Sequence, residues 1–319
     1  MEKLKKINLT QESTQFLMGL EKKGKSFNTV KNYRTDLNTF FKFLEQKKMS
    51  PEMNELTHQM LQEYDLFLEK NYNSPNSIRR RVQALRLFFD WLVIENKFSH
   101  NPIKKIVSSP KKVDIPRPLP FAHVLKLYQY LEQRVVESDE LEKLISMRNL
   151  IVFHLIYGAG LKVSDIEALS QDHILPGKTI RVLISHPKRD PYTNPLPAGF
   201  IDLFTEYKNL LKEQMHKDNI EFDNILFNAN PYKILKGGLS ARGIEIILKE
   251  ISKRLSITVT AKNLRQSCIF KWLNYNINDS IIKERMGVQP QYSLKPYHQL
   301  LSDEPEKYVY KEIEAKLAN

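Results

Sequence analysis

Arg79, Gln83 and Arg86 recur at i, i+4 and i+7, so they share one face of a helix whose opposite face carries Ile78, Val82, Leu85, Phe88, Phe89 and Leu92. Arg80 and Arg81 are also expected to lie off that apolar stripe. A row of guanidinium groups on such a helix can reach phosphates and guanine edges from within a major groove. The same row is equally the solvated surface of an ordinary amphipathic helix. A second cation, Lys162, stands just after a tight glycine turn, Gly158-Ala159-Gly160, between two helical stretches. Several other chemistries find no support. Gly237-Gly238 is not followed by Lys and Ser or Thr, as a phosphate-cradling loop requires, and there is no GxGxxG, GxSxG or HExxH sequence. The eight histidines include no pair at metal-binding helical spacing. The chemistry is therefore expected to need no nucleotide, no protein-bound transition metal and no other cofactor.

These cations belong to a chain of 319 residues with a formal net charge of +12. Hydrophobic residues make up 41% and charged ones 27%, which is a globular balance and argues against wholesale disorder. The single cysteine, Cys268, excludes a disulfide framework and any multi-thiolate metal site, and fits a reducing, cytoplasmic setting. The longest apolar run, Leu150–Leu161, is too short to cross a bilayer, and the lysine-rich N-terminus lacks the apolar stretch of a signal peptide. No membrane role is expected. Excess positive charge then makes nucleic acid the leading partner class, ahead of acidic membrane or acidic protein surfaces.

The elements that must position these groups fall into two parts. Residues 1–107 hold 19 Lys and Arg against 12 Asp and Glu, a net of +7, and read as helices throughout. Ser26 caps a helix with Val30, Tyr33, Leu37, Phe40, Phe41 and Leu44 on its apolar face. A second helix carries Met60, Leu61, Tyr64, Phe67 and Leu68, and the arginine-bearing third opens at Ser74-Pro75. Residues 108–118 form a proline-rich linker, since the prolines between Pro110 and Pro120 cannot continue a helix. Residues 119–319 read as a second domain, largely helical. It opens with a helix over Phe121–Arg134, followed by an apolar helix from Met147 to about Tyr157 and a capping box at Ser164–Glu167. Thr179–Ile184 reads as a strand, with Asn194–Pro197 as a weak return strand across the turn His186–Asp190. A tail helix is expected from Glu304 to Leu317. The fold class is mainly α, with a small β-sheet in the second domain.

The order of these motifs resembles the tyrosine recombinase and phage integrase family, in its Xer-like form, with a partly degenerate catalytic set. Ser26, Asn28, Thr29, Tyr33, Asp36 and Leu37 look like the family's S-x-N-T-x-x-x-Y-x-x-D-L helix. Ser77–Leu92 followed by Asn101-Pro102 looks like the rest of its helical, SAM-like core-binding domain. The resemblance makes Arg79, Arg80, Gln83 and Arg86 a DNA-contacting surface. It also implies an α-rich catalytic domain in which a tyrosine attacks the scissile phosphate, leaving a 3′-phosphotyrosyl link and a free 5′-hydroxyl.

In that family two arginines hold the non-bridging oxygens of the transition state. The first lies in a T-G-x-R-x-x-E turn, and here its place is taken by Lys162. The hairpin lysine that protonates the leaving oxygen falls at Lys188 or close to it, beside Arg189. Lys262-Asn263-Leu264-Arg265 matches the H/K-x-x-R box, and Gln266 stands where a second histidine is usual. Met286-Gly287-Val288 replaces L-G-H, so the phosphate contact from that histidine is lost. Tyr297 has the spacing of the nucleophile, with Tyr292 as the nearby alternative. The resemblance implies double-stranded DNA as the partner. It also implies a homodimer or tetramer on DNA, with or without a partner recombinase. Two functions stay open: a recombinase that cleaves and rejoins DNA, or an impaired relative that binds DNA as a regulatory or architectural protein.

Overall fold

The computed structural model describes residues 6–106, 115–138, 140–186, 189–230 and 234–315. The chain divides into two compact units, Met1–Asp114 and Ile115–Asn319. The linker expected at 108–118 lies mostly outside the described residues.

The first unit comprises β1 (Ile7–Asn8), α1 (Leu9–Lys22), α2 (Phe27–Gln46), β2 (Glu52–Met53), α3 (His58–Asn71) and α4 (Pro75–Ile94). Asn8 caps α1, Ser26 caps α2 and Thr57 caps α3 through side-chain oxygens that accept backbone N–H groups. Pro75 starts α4 at a position whose N–H has no intrahelical partner. The apolar stripes of the four helices meet in a core rich in aromatic residues, where Phe40, Phe43, Tyr64, Phe88 and Phe89 are almost wholly buried. Tyr64 packs edge-on against Phe40 at 5.1 Å between ring centres. The sequence pattern missed α1, whose buried face is only Leu9, Ser13, Phe16 and Leu17.

The second unit begins with α5 (Phe121–Glu137), α6 (Glu140–Phe153) and a π-helical turn (His154–Gly158), followed by α7 (Val163–Glu167). Helix α6 starts seven residues before the expected Met147, because its first two turns carry Glu and Lys on an outer face while Leu144 is buried. Next come β3 (Ile174–Leu175), β4 (Arg181–His186) and β5 (Arg189–Pro195), which form one antiparallel sheet in the order β3-β4-β5. Asn194 pairs with Val182 and Thr193 with Leu183. The expected hairpin is therefore present, with its return strand starting earlier than Asn194. Then follow α8 (Phe200–Asp218), the hairpin of β6 (Phe227–Ala229) and β7 (Leu235–Gly238), α9 (Ala241–Leu255), α10 (Ala261–Asn274), α11 (Asp279–Met286) and α12 (Lys295–Asp303).

Helix α10 is the centre of this unit. Seven consecutive side chains from Ser267 to Leu273 are buried, so α10 is covered on all sides rather than amphipathic. The tail departs from expectation. Helix α12 ends at Asp303, turns occupy residues 304–308, and residues 309–315 run as an extended strap along the same unit. Pro305 opposes continuation of the helix, and Tyr308, Tyr310, Ile313 and Ala315 are buried while Val309, Lys311 and Glu314 are exposed. Tyr310 donates its hydroxyl to the Leu119 carbonyl, and the Ala315 N–H donates to Ala198. Among the described residues, no helix is long and apolar enough to cross a membrane.

Candidate active site

The Gly158–Lys162 turn exists because the π-helical turn widens α6 just before two glycines. Gly160 adopts φ +71°, and a Cβ there would collide with the Trp272 ring, so both the backbone and the packing demand glycine. Lys162 then caps α7, and its backbone N–H donates to Asp165 Oδ2 at 3.2 Å. The cap is thus two residues earlier than the Ser164 expected from sequence. The Lys162 side chain is half-buried.

Two cations of α10 grip this turn from beneath. Arg265 donates through Nε to the Gly160 carbonyl at 2.6 Å and through Nη2 to the Met286 carbonyl at 2.7 Å. Lys271 donates to the Gly158 carbonyl at 3.2 Å. Arg265 therefore ties the turn carrying Lys162 to the end of α11, where Gly287 takes a left-handed conformation with φ +57°. One edge of the Arg265 guanidinium is committed to this scaffold, and Nη1 makes no hydrogen bond to a described residue. Lys262, on the first turn of the same helix, is exposed.

Tyr297 sits near the start of α12 and is 5% exposed, its ring 5.5 Å from that of Phe270. Burial raises the phenol well above its ordinary range, and the neighbouring Tyr292 hydroxyl adds to the effect. The Arg265 charge and a hydrogen bond from Gln266 act the other way, favouring the phenolate. Gln266 is held in place because its Oε1 accepts the Arg117 N–H at 2.9 Å. Arg265, Gln266, Tyr292 and Tyr297 thus form one cluster, and the Gly160 carbonyl links it to the Lys162 turn. Val288 packs partly buried against the core and offers the cluster no polar atom. Lys188 lies outside the described residues.

The arginine helix of the first unit is less open than its spacing implies. Arg81 is buried, with its guanidinium 3.5 Å above the centre of the Tyr72 ring, and donates to the Ser77 carbonyl. It was expected off the apolar stripe. Tyr72 and Thr39, both polar-tipped, make that burial tolerable. Arg80 lies 2.9 Å from Asp36 on α2, an ion-pair contact without hydrogen-bond alignment. Asp36 is fully buried, and burial raises its carboxyl while Arg80 and Arg81 oppose the rise. Arg86 donates to the Ile106 carbonyl at 3.2 Å. Arg79 is half-buried, and Gln83 is exposed.

Sequence spacing alone pointed neither to Lys271 nor to the role of Gln266. A lysine at position 271, in the middle of an otherwise apolar run, was the available signal.

Residues 14–96 match the phage integrase N-terminal SAM-like domain. The chain is 24% identical over 269 residues to tyrosine recombinase XerD of Listeria innocua, covering 83% of this chain and 85% of that one. It is 27% identical over 286 residues to tyrosine recombinase XerC of Anoxybacillus flavithermus, covering 88% and 90%. A lambda integrase dimer bound to a COC′ core site shares the fold with a TM-score of 0.64 at 16% identity, covering 89% of this chain and 96% of that one. A lambda integrase tetramer bound to a Holliday junction gives 0.62 at 15%, covering 90% and 80%. A SAM-like helical unit is followed by a helical unit with an arginine and a buried tyrosine clustered around a glycine turn: the first unit carries the phage integrase SAM-like domain, and the chain is similar along most of its length to tyrosine recombinases.

Proposed function

We propose that the protein is a site-specific DNA recombinase that cleaves and rejoins duplex DNA through a 3′-phosphotyrosyl intermediate. The observation that carries this reading is the cluster of Tyr297 with Arg265, a nucleophile beside a cation fit to hold a phosphate oxygen. The Tyr297 oxygen attacks phosphorus as the bond to the 5′-oxygen breaks. The phenolic proton leaves to solvent, and Lys188 donates a proton to the departing 5′-oxygen. Arg265 and Lys162 neutralise the non-bridging oxygens, and Lys262 supports the leaving group. No external energy source is needed, because the phosphodiester energy is kept in the tyrosyl ester.

The arginine helix supplies the DNA-contacting surface through Arg79, Arg80, Gln83 and Arg86. Work on DNA as a homodimer or tetramer in the cytoplasm, with or without a partner recombinase, follows from the same reading. Lys162 and Val288 favour a second reading, a slowed or inactive member that retains DNA binding. A lysine has the charge but not the two-pronged geometry of arginine, a loss of about 3 kcal/mol or roughly a hundredfold in rate.

The test uses a nicked suicide duplex built from fragments that the protein itself selects from a random DNA pool. A covalent protein–DNA adduct that Tyr297→Phe abolishes and Tyr292→Phe leaves in place is expected. Tight, salt-sensitive binding with no adduct replaces the first reading with the second.

A further inference from the structure

Asn194 occupies a strand position where its neighbours are apolar, yet it is 1% exposed. Val182 lies opposite it in β4, and asparagine is a poor strand former, so neither packing nor propensity accounts for it. Both hydrogens of its amide are used. Nδ2 donates to the Ala159 carbonyl at 2.7 Å and to the Arg285 carbonyl at 2.8 Å. These carbonyls are the immediate predecessors of the two that Arg265 holds, Gly160 and Met286. Two side chains from different elements therefore clasp the same pair of segments at consecutive residues. One segment leads into Lys162 and the other into Gly287-Val288. Asn194 adds a third segment to the joint, since β5 is the return strand of the β4–β5 hairpin.

We propose that Asn194 is a positioning residue for strand cleavage, fixing the Lys162 turn and the end of α11 against the hairpin so that Arg265 can turn its unused edge to the phosphate. This rests on the recombinase reading above. Without the Asn194 amide, the side-chain hydrogen bonds described between these two segments are those of Arg265, beside the Trp272 ring that packs on Gly160 and Arg285. The guanidinium then follows their motion instead of being held for the phosphate.

An apolar residue of the same shape separates this role from a merely structural one. Asn194→Leu removes two donors while keeping the volume, so folding should be retained with a melting temperature a few degrees lower, because the Ala159 and Arg285 carbonyls lose this partner. At saturating DNA its cleavage rate should fall at least thirtyfold, with DNA affinity within twofold of the parent. Cleavage equal to the parent's overturns the proposal. Should Asn194→Leu fail to fold, Asn194→Ser keeps one donor and should give an intermediate rate, whereas a parental rate in that variant overturns the proposal. A parent that cuts no DNA removes the recombinase reading but not the clasp, which is then read by amide hydrogen exchange. Residues 159–163 and 286–288 should exchange at least tenfold faster in the variant than in the parent, and unchanged exchange there overturns the clasp itself.

Discussion

Lys271 Nζ lies 2.7 Å from Glu312 Oε2, joining an ammonium that is 1% exposed to a carboxylate that is 42% exposed. The lysine belongs to α10 and the glutamate to the C-terminal strap. The same ammonium bonds the Gly158 carbonyl, and Tyr157 donates its hydroxyl to the Lys311 carbonyl of the strap. The strap thereby meets the chain at two successive residues, Tyr157 and Gly158, where the glycine turn begins. A buried ammonium that loses its counter-charge is costly, although solvent reaching Glu312 softens the loss. Glu312→Gln should lower stability by about 1–2 kcal/mol. Lys271→Met should relieve much of that penalty in the double variant, giving a coupling of at least about 1 kcal/mol in a urea-denaturation cycle. Additive effects would mean that the contact carries no energy.

Restoring the two-pronged cation should speed the reaction. Lys162→Arg is expected to raise single-turnover cleavage of the suicide duplex by about ten- to a hundredfold, with little change in DNA affinity. Lys162→Ala should lower it. Equal rates for Lys162→Arg, Lys162→Ala and the parent would show that position 162 is only a helix cap.

His154 gives the fold a defined acid sensitivity. It is fully buried among the rings of Tyr128, Phe153 and Phe200, with no hydrogen-bond partner for either ring nitrogen. Burial pushes it down to about 3, and the Lys271 charge acts in the same direction. Between about pH 6.5 and pH 3 the unfolded chain binds a proton there that the folded one refuses, so this contribution to stability falls as pH falls. The slope is up to about 1.4 kcal/mol per pH unit. His154→Phe should flatten the dependence between pH 7 and pH 5, measured as the difference from the parent in urea midpoints. An identical slope in both would exclude His154 as the source.

Arg80 pairs with Asp36 and is proposed to contact DNA, and experiment can pull the two apart. Arg80→Ala should reduce the salt dependence of DNA binding by about one phosphate contact. It also leaves Asp36 facing Arg81 alone, which raises the folded-state carboxyl further. Folding then takes up a proton above the unfolded carboxylate range. The variant's stability deficit should be largest at neutral pH and shrink towards pH 4. Adding Asp36→Asn should remove the pH dependence of that deficit while the weakened DNA binding persists.

Much of this architecture was legible in the chain. The stripes in α2, α3 and α4 are regular, and Ser26 and Pro75 mark starts that the structure keeps. At α10 only the Lys262–Arg265 motif stood out, and periodicity did not mark the helix, because burial on every face erases the helical repeat. The strap was misread because Tyr310, Ile313 and Leu317 fit helical spacing as well as an extended run, and the deciding factor is which neighbours receive Tyr308 and Tyr310. The residue types at Lys162, Arg265 and Tyr297 signalled chemistry. The clasp of Asn194 on Ala159 and Arg285 left no trace, since it joins residues far apart in sequence through one amide.

Cys268 is the only thiol in the chain, buried on α10 three residues beyond Arg265, with its sulfur 3.7 Å from the Gly158 carbonyl. Burial raises its pKa to about 12, so it is unreactive while α10 stays seated. Its rate of modification by an aromatic disulfide is then a clock for the opening of α10 from the Gly158–Lys162 turn, kept by the native side chain with no engineered label. A strap variant that frees Lys271 from Glu312 should raise that rate, since it loosens one of the contacts that seat α10.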